Sequence, residues 1–188
     1  MEFRTFQVEG LLEIVPRKIV DERGYFSEMF RLDCFREQAG AVGFVQDNQS
    51  LSVRAGTVRG IHFQSPPAAQ GKLVRCHSGA LFDVAVDLRR GSPTFGSWVA
   101  VTLTPEVGNQ FWVPPGFGHG FCTLQPETVI SYRVTSYYSR EHDKGVAWND
   151  DAIAIDWPKM ADPATLSTKD REQPRLAELP AYFEMKGL

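Results

Sequence analysis

The sequence predicts an all-β fold, a sandwich or a closed barrel built from short strands. Two observations carry this prediction: short apolar runs recur along most of the chain, and Gly, Pro, Asn and Asp residues separate them at close intervals. Many short strands with turn residues between them are typical of sandwiches and barrels. A third observation is that only one short segment before the C-terminal tail has the character of a helix.

The N-terminal segment, residues 1–32, predicts strands and a tight turn. LLEIVPRKIV is interpreted as a strand interrupted at Pro16, and DERG (21–24) as a turn. YFSEMF alternates, which favours a strand that is half buried on one face. One short helix, DCFREQA, is expected next, with Asp33 as its N-cap and Gly40 as its stop.

A barrel core is expected from about residue 40 to 140, within a single domain of 188 residues that is long enough to bury a core. The tail, 158–188, is polar and helix-compatible, and its leucine and aromatic residues favour packing back over the barrel mouth rather than disorder. The strand candidates of the core are GFVQDNQSLSV, GTVRGIHFQ, GKLVRCHSG, ALFDVAVDL, SWVAVTL, NQFWVPP, HGFCTL and TVISYRVTSYY.

Composition excludes several classes of function. Hydrophobic residues make up 43%, charged residues 23% and the net charge is −3, which are ordinary values for a soluble protein and predict neither nucleic acid nor an anionic membrane as a partner. No apolar run approaches the ~20 residues of a membrane helix, and the N-terminus lacks the apolar region of a signal peptide. Cys34, Cys76 and Cys122 lack metal-type spacing, which indicates buried reduced thiols and a cytoplasmic location.

Two histidines have informative contexts. His62 lies six residues after Gly56 in GTVRGIH, and His119 lies in GNQFWVPPGFGHGF, with the spacing G-x5-P-x-G-x2-H. The pair resembles the two motifs of the cupin superfamily, whose fold is a double-stranded β-helix, or jelly roll. Metal cupins supply H-x-H and a glutamate from the first motif and a histidine from the second. Here Gln64 and SPPAAQG replace two of these four ligands, and because a first-row metal needs three or more protein ligands, we expect no metal.

His62 therefore has two interpretations. It is a buried histidine hydrogen-bonded to the backbone, or it is a general base, since imidazole titrates near neutral pH and needs only a partner that sets its tautomer. A carboxylate usually supplies that partner. Asp170, in LSTKDREQP, is a remote candidate that only a folded-back tail would deliver.

Lys72 and Tyr132 are further candidates, each with an ordinary alternative. Lys72 leads from a Gln-Gly pair into an apolar strand, where it would stabilise negative charge on a bound oxygen, although most lysines are simply solvated. Asp83 alternates with apolar neighbours and either points inward to neutralise Lys72 or lies on the solvent face. Tyr132 is a core aromatic residue or an acid opposite His62.

Several polar residues suit a phosphorylated ligand, because arginine bonds phosphate oxygens bidentately; the alternative for each is ordinary surface. This set is Arg23, Arg59, Lys169, Gln46 and Asn48. Under strict alternation Arg59 and His62 point to opposite faces of one strand. Both serve one pocket only if Gly60 forms a bulge or if one of them acts across an interface.

Nearly the whole chain, from about residue 3 to 180, carries motifs in a distinctive order: DERGYFSEMF, FVQDNQS, TVRGIHFQ, QGKLVRC, LFDVAVDLRRGSPTFG, QFWVPPGFGHGF, SYRVTSYYSREHDKGVAWNDDAIAIDWP and LSTKD. Their order and spacing resemble the dTDP-4-dehydrorhamnose 3,5-epimerase family. These enzymes have the cupin fold, need no cofactor and act in dTDP-L-rhamnose synthesis.

The resemblance implies a role for each catalytic candidate. His62 would be the base that removes the protons from C3 and C5, next to the C4 ketone, with Asp170 as its orienting partner. Lys72 would stabilise the enolate oxygen, and Tyr132 would return a proton from the other face.

The resemblance also implies substrate-binding residues. Because the family forms dimers by exchanging N-terminal strands, here within residues 1–32, some of these residues would reach over from a neighbouring subunit. The set comprises Arg59 and His119 at the diphosphate, Gln46 and Asn48 near the nucleotide sugar, Tyr138 stacked on thymine, Asp143 and Lys169 near the nucleotide, and Arg23, Phe26 and Glu28 from the neighbour.

Two positions depart from the family pattern: Asp143 stands where a nucleotide-contacting glutamate is expected, and Tyr25 where a second phenylalanine is common. Three alternatives stay open. One is a relative that epimerises a single carbon or isomerises a keto group. The others are a metal-dependent cupin and a non-catalytic sugar-binding cupin, which the missing ligands and the lack of a DNA-binding segment disfavour.

Overall fold

The computed structural model describes residues 1–185, and short strands make up most of it. The last three residues of the predicted tail, 186–188, lie outside the described residues. The strands are β1 (Glu2–Thr5), β2 (Leu12–Val15), β3 (Lys18–Asp21), β4 (Gly24–Ser27), β5 (Gln46–Ser52), β6 (Val58–Gln64), β7 (Lys72–Ser78), β8 (Leu81–Asp87), β9 (Arg89–Arg90), β10 (Trp98–Leu103), β11 (Gln110–Val113), β12 (Phe117–Thr123), β13 (Thr128–Val134), β14 (Asp143–Gly145) and β15 (Phe183–Glu184), and the helices are α1 (Leu32–Ala39) and α2 (Thr168–Arg171).

Two antiparallel sheets face each other, as expected for a jelly roll. One has the order β1-β2-β11-β7-β13-β5 and the other the order β10-β8-β12-β6-β14. The main core lies between them and includes Val74 and Phe111 from the first sheet and Leu81, Leu103 and Phe121 from the second. The predicted all-β jelly roll is therefore confirmed.

The five-stranded sheet is buried on both faces, because the C-terminal tail covers its outer side. In β8 every second residue points to the main core, while Val84 and Val86 pack outward with Leu176 of the tail. Tyr182 and Phe183 of the tail pack their rings on Phe63. Burial on two faces explains why β8 is nearly continuously apolar instead of alternating. The expected packing of the tail is confirmed.

The helix begins earlier than predicted. Its first residue is Leu32, its N-cap is Arg31 and no side chain caps it. Asp33, expected as the cap, instead lies in the first turn, where its carboxylate accepts hydrogen bonds from the Arg31 guanidinium and the Cys34 N–H. Gly40 ends the helix at φ 79°, as predicted.

The hairpin formed by β3 and β4 stands apart from both main sheets. YFSEMF is not half buried: Tyr25 and Phe26 are 57% and 69% exposed. By contrast, β1 and β2 pair within the chain and join the six-stranded sheet through β11. Within residues 1–32, all the large apolar side chains that are more than half exposed lie on this hairpin. No helix in residues 1–185 is both long and apolar enough to cross a membrane.

Helix α1 should contribute strongly to stability through Phe35. This fully buried ring contacts Trp112 with ring centroids 5.1 Å apart and also packs on Phe30 and Phe44. Phe35→Ala is expected to lower the free energy of unfolding by about 3–5 kcal/mol, because it leaves a cavity. Urea denaturation at equal protein concentration measures this, with the exposed Glu37 changed to Ala as the control, expected within about 0.5 kcal/mol of the parent. Equal effects of the two changes would contradict this account of the helix.

Candidate active site

A cavity of about 470 Å³ opens at one end of the sandwich. A second cavity of about 160 Å³ adjoins it, and His62, Lys72 and Tyr132 line both. The first is lined by Gln46, Asn48, His62, Phe63, Gln64, Gln70, Lys72, Tyr132, Tyr138, Asp143 and Lys169. The second is lined by Ser50, Arg59, His62, Lys72, His119, Gly120, Phe121, Ile130 and Tyr132.

His62 and Asp170 are in direct contact through Nε2 of the imidazole and Oδ1 of the carboxylate. The tail brings α2 against β6, so Asp170, 4% exposed, lies beside a residue 108 positions earlier in the chain. Because an ionised carboxylate only accepts hydrogen bonds, Nε2 carries the proton and Nδ1 is left as a base. Burial raises the pKa of Asp170, but hydrogen bonds with His62 and Ser167 outweigh it and hold this pKa below its usual value.

A bulge in β6 brings Arg59 and His62 to the same cavity. In the pairing with β12, His119 lies opposite His62 and Phe121 opposite Arg59, so β6 has one extra residue in this interval. Gly60 makes the bulge possible: its φ is 119°, and a Cβ there would lie 2.5 Å from Cα of Gly120. Strict alternation would place Arg59 and His62 on opposite faces of β6. The bulge at Gly60 removes this conflict, which is one of the two outcomes that the sequence left open.

Lys72 lies at the start of β7, and its Nζ donates a hydrogen bond to the carbonyl of His62 at 3.2 Å. Burial lowers the pKa of Lys72 to about 8, opposed by the charges of Asp143 and Asp83. Asp83 is fully buried, which contradicts the solvent-face interpretation. Its direct partner, however, is His119 Nε2 at 2.7 Å rather than Lys72. Asp83 therefore orients His119 and acts on Lys72 only through its charge.

Tyr132 is the phenol that lines both cavities together with His62. It pairs with Asn48 of β5 on one side and Val74 of β7 on the other. Burial raises the pKa of Tyr132 above its usual value, although the charge of Arg59 opposes this. The phenol is therefore protonated at neutral pH and able to donate a proton.

Five predicted binding residues form one hydrogen-bonded rim around the larger cavity. Gln46 donates to Asn48 Oδ1 at 2.8 Å and accepts from the N–H of Tyr138 at 3.1 Å. The Tyr138 hydroxyl donates to Asp143 Oδ2 at 3.2 Å, and Lys169 pairs with the same carboxylate oxygen. Tyr138 is 59% exposed, so its ring is open to a planar ligand.

Three predicted binding residues do not line either cavity of this chain. Arg23, Phe26 and Glu28 lie on or beside the exposed β3–β4 hairpin, and the Arg23 guanidinium pairs with Asp21. They contribute to a site only if that hairpin reaches a neighbouring subunit, which stays a prediction.

Sequence reasoning missed some cavity residues. Gln64 donates to the carbonyls of Ala68 and Tyr137 and accepts from the N–H of Ser139, so it fixes the loop that carries Tyr138. Ser50 continues the alternation of Gln46 and Asn48, which was a usable signal. No pattern in the sequence marked Gln70 as a residue of the cavity. Across residues 1–185, no three His, Cys, Asp or Glu side chains are grouped as a metal ion would require.

The chain is similar to known proteins over nearly its whole length. A family model described as dTDP-4-dehydrorhamnose 3,5-epimerase matches residues 5–178. The dTDP-4-dehydrorhamnose 3,5-epimerase of Sinorhizobium fredii is 58% identical over 184 residues, 98% of this chain and 94% of that relative. A dTDP-4-dehydrorhamnose 3-epimerase of Streptomyces niveus is 40% identical over 189 residues, 97% of this chain and 90% of that relative.

A solved structure is similar over the same length. The crystal structure of a dTDP-6-deoxy-D-glucose-3,5-epimerase from Legionella pneumophila, in complex with dTDP-4-keto-L-rhamnose, has a TM-score of 0.91 to this chain. The two are 40% identical, and the match covers 99% of each chain. With the family model spanning most of its length, this chain belongs to the dTDP-4-dehydrorhamnose 3,5-epimerase family.

Proposed function

We propose that this protein inverts C3 and C5 of dTDP-4-dehydro-6-deoxy-D-glucose to give dTDP-4-dehydro-L-rhamnose, in dTDP-L-rhamnose biosynthesis. The observation that carries the proposal is the His62–Asp170 pair facing a cavity that Tyr132 also lines. Membership of the family supports the choice of substrate.

The first half of the reaction is proton removal next to the C4 ketone. Nδ1 of His62, left unprotonated by the contact of Nε2 with Asp170, takes the proton from C3 or C5, and positioned acid–base catalysis of this kind contributes ~10²–10⁴-fold. The electron pair moves onto the C4 oxygen as an enolate. The Lys72 ammonium stabilises this oxyanion, an effect of about 3–4 kcal/mol by analogy with oxyanion-hole donors.

Inversion requires that the proton return to the opposite face of the sugar ring. One base alone would mostly return it to the face from which it came. Tyr132, protonated at neutral pH because burial raises its pKa, supplies a proton from a second wall of the same cavity. Side chains of this chain thus carry both transfers without a cofactor.

The remaining cavity residues suit a nucleoside diphosphate. Arg59 and His119, the latter held by Asp83, are assigned to the diphosphate, and Gln46 and Asn48 to the nucleotide sugar. Tyr138 is assigned to the thymine ring because its ring is exposed at the rim. Asp143 and Lys169 close the rim beside it.

The exposed hairpin supports a homodimer with shared active sites. Ile19, Val20, Tyr25 and Phe26 are all more than half exposed, and such an apolar surface is typical of a protein interface. We propose that the hairpin covers a neighbouring copy of this chain and brings Arg23, Phe26 and Glu28 to its cavity. Three free thiols, two of them buried, support a cytoplasmic location.

The alternative is a single-centre enzyme. It is kept because a dTDP-4-dehydrorhamnose 3-epimerase is 40% identical over nearly the whole chain. A small difference in sugar orientation beneath His62 would be enough to restrict the enzyme to one carbon.

Incorporation of deuterium from the solvent distinguishes an enzyme that inverts both carbons from one that inverts a single carbon. The enzyme is incubated with dTDP-4-dehydro-6-deoxy-D-glucose in D2O, and proton NMR follows deuterium at each sugar carbon. We expect deuterium at both C3 and C5, because each carbon passes through an enolate. Deuterium at one carbon alone would identify a single-centre epimerase, and exchange at neither would refute the catalytic role of His62.

The roles of His62 and Tyr132 are distinguished in the same assay. His62→Ala is expected to lower exchange by at least ~10³-fold, since it removes the base, while nucleotide-sugar binding measured by calorimetry stays within a few-fold. Tyr132→Phe is the matched comparison: exchange survives, but the inverted product does not form. Loss of exchange and inversion to the same extent in Tyr132→Phe would contradict its assignment as the acid.

Lys72 should set the alkaline limit of activity. The ammonium form stabilises the enolate, so kcat is expected to fall as the pH rises through the Lys72 pKa of about 8. Lys72→Arg keeps its charge at high pH and should shift this decline upward, whatever its lower absolute rate. A pH–rate profile of both proteins tests this, and an unchanged alkaline limb in Lys72→Arg would exclude Lys72 as its cause.

A further inference from the structure

The carboxylate that orients His62 is carried by a very small helix. Helix α2 has four residues, Thr168–Arg171, and of these only Asp170 is buried. A single helical turn has little stability of its own in water. The orientation of Asp170 must therefore come from contacts at the ends of this turn.

Several contacts hold the segment as a whole. Leu166, just before the helix, is buried in a small apolar cluster with Val58 and Cys122. Lys169 pairs with Asp143, and the Arg171 guanidinium donates to the carbonyl of Ala164. These contacts fix where the turn lies, but none of them involves Asp170 itself.

Ser167 contacts Asp170 directly. It is the N-cap of α2, and its Oγ accepts a hydrogen bond from the N–H of Asp170 at 3.1 Å. This cap fixes the backbone from which the Asp170 carboxylate projects. Consistent with this, hydrogen bonds from Ser167 contribute to the lowered pKa of Asp170. Asp170 is thus held by His62 at its carboxylate and by Ser167 at its backbone N–H.

We propose that Ser167 is a positioning residue of the catalytic pair. It lies outside the described lining of both cavities, yet by capping the Asp170 N–H it fixes the backbone that places the Asp170 carboxylate against Nε2 of His62. Through that contact it selects the tautomer with Nδ1 unprotonated. This inference rests on the proposed function, in which His62 is the base.

The chain contains a matched control. Asp162 caps the adjacent single turn Pro163–Thr165, where its Oδ1 accepts from the N–H of Ala164 at 2.9 Å. This cap belongs to the same tail and is of the same kind, but its turn carries no residue of either cavity. Asp162→Ala therefore reports the structural cost of losing a cap in the tail while leaving the hydrogen bond between Ser167 and Asp170 in place.

The kinetic test uses the full-length variants Ser167→Ala, Ser167→Thr and Asp162→Ala. Ser167→Ala is expected to lower kcat for deuterium exchange about 10-fold, by analogy with the outer hydrogen-bond partners of metal-bound histidines, with KM within twofold. Ser167→Thr keeps a hydroxyl cap and should restore kcat. Asp162→Ala should lower the melting temperature as Ser167→Ala does but leave kcat unchanged. Equal loss of kcat in Ser167→Ala and Asp162→Ala would overturn the proposal.

A double-mutant cycle with Asp170→Asn shows whether Ser167 acts through Asp170. If it does, Ser167→Ala added to Asp170→Asn should change kcat less than twofold, because the pair is already lost. An effect as large as in the parent protein would mean that Ser167 acts through general folding, and the proposal would be wrong.

A measurement without substrate separates this proposal from the proposed function. The 15N shifts of the His62 ring should report a single tautomer, protonated at Nε2, in the parent and in Asp162→Ala, and a mixture in Ser167→Ala. That pattern would support the positioning role even if the parent failed to exchange deuterium, a failure that would refute only the proposed function. An unchanged tautomer in Ser167→Ala would overturn the positioning role directly.

Discussion

The contact between His62 and Asp170 is the interaction on which the rest of the site depends. It joins the middle of the main sandwich to the C-terminal tail, and it leaves the imidazole with one protonated and one free nitrogen. An isolated imidazole exchanges its tautomers freely, whereas a buried carboxylate selects one of them. The fold holds the two side chains together, and in the proposed function this contact orients His62 as the base.

Holding that contact requires the tail to be part of the fold. The outer face of the five-stranded sheet is apolar, and the tail covers it with Leu176, Tyr182 and Phe183. Burial of these side chains stabilises a segment whose described part has two short helical turns, one helix of a single turn and the two-residue strand β15. The same packing that completes the second core also carries α2 to the mouth of the cavity.

Within the sandwich, the backbone geometry of β6 positions the side chains of the site. The extra residue in β6 turns Arg59 toward the cavity that His62 lines, and Gly60 permits the close approach of β12. The carboxylates around the site each have a partner: Asp170 contacts His62, Asp83 contacts His119, and Asp143 pairs with Lys169. Lys72, by contrast, donates to a backbone carbonyl and to no side chain within residues 1–185, so in the proposed function its ammonium group is available to an oxygen that gains negative charge.

The sequence by itself determined the fold class, most strands of the barrel and many of the residues that line the cavity. Alternation and turn residues are local signals, and the motif spacing around His62 and His119 is local as well. The start of α1 was misplaced because the Asp33 carboxylate bonds to Arg31 and to the Cys34 N–H instead of capping the helix. The burial of YFSEMF was misjudged because alternation does not report whether another part of the chain covers a strand.

Only the tertiary structure decided which of these residues meet. It placed Asp170 on His62 and paired Asp83 with His119 rather than with Lys72. It also showed that a bulge brings Arg59 and His62 to the same cavity, and that Gln64 holds the loop that carries Tyr138. The physical reason is that a hydrogen bond depends on positions within about 3 Å, whereas sequence periodicity specifies only which face of a strand a side chain occupies.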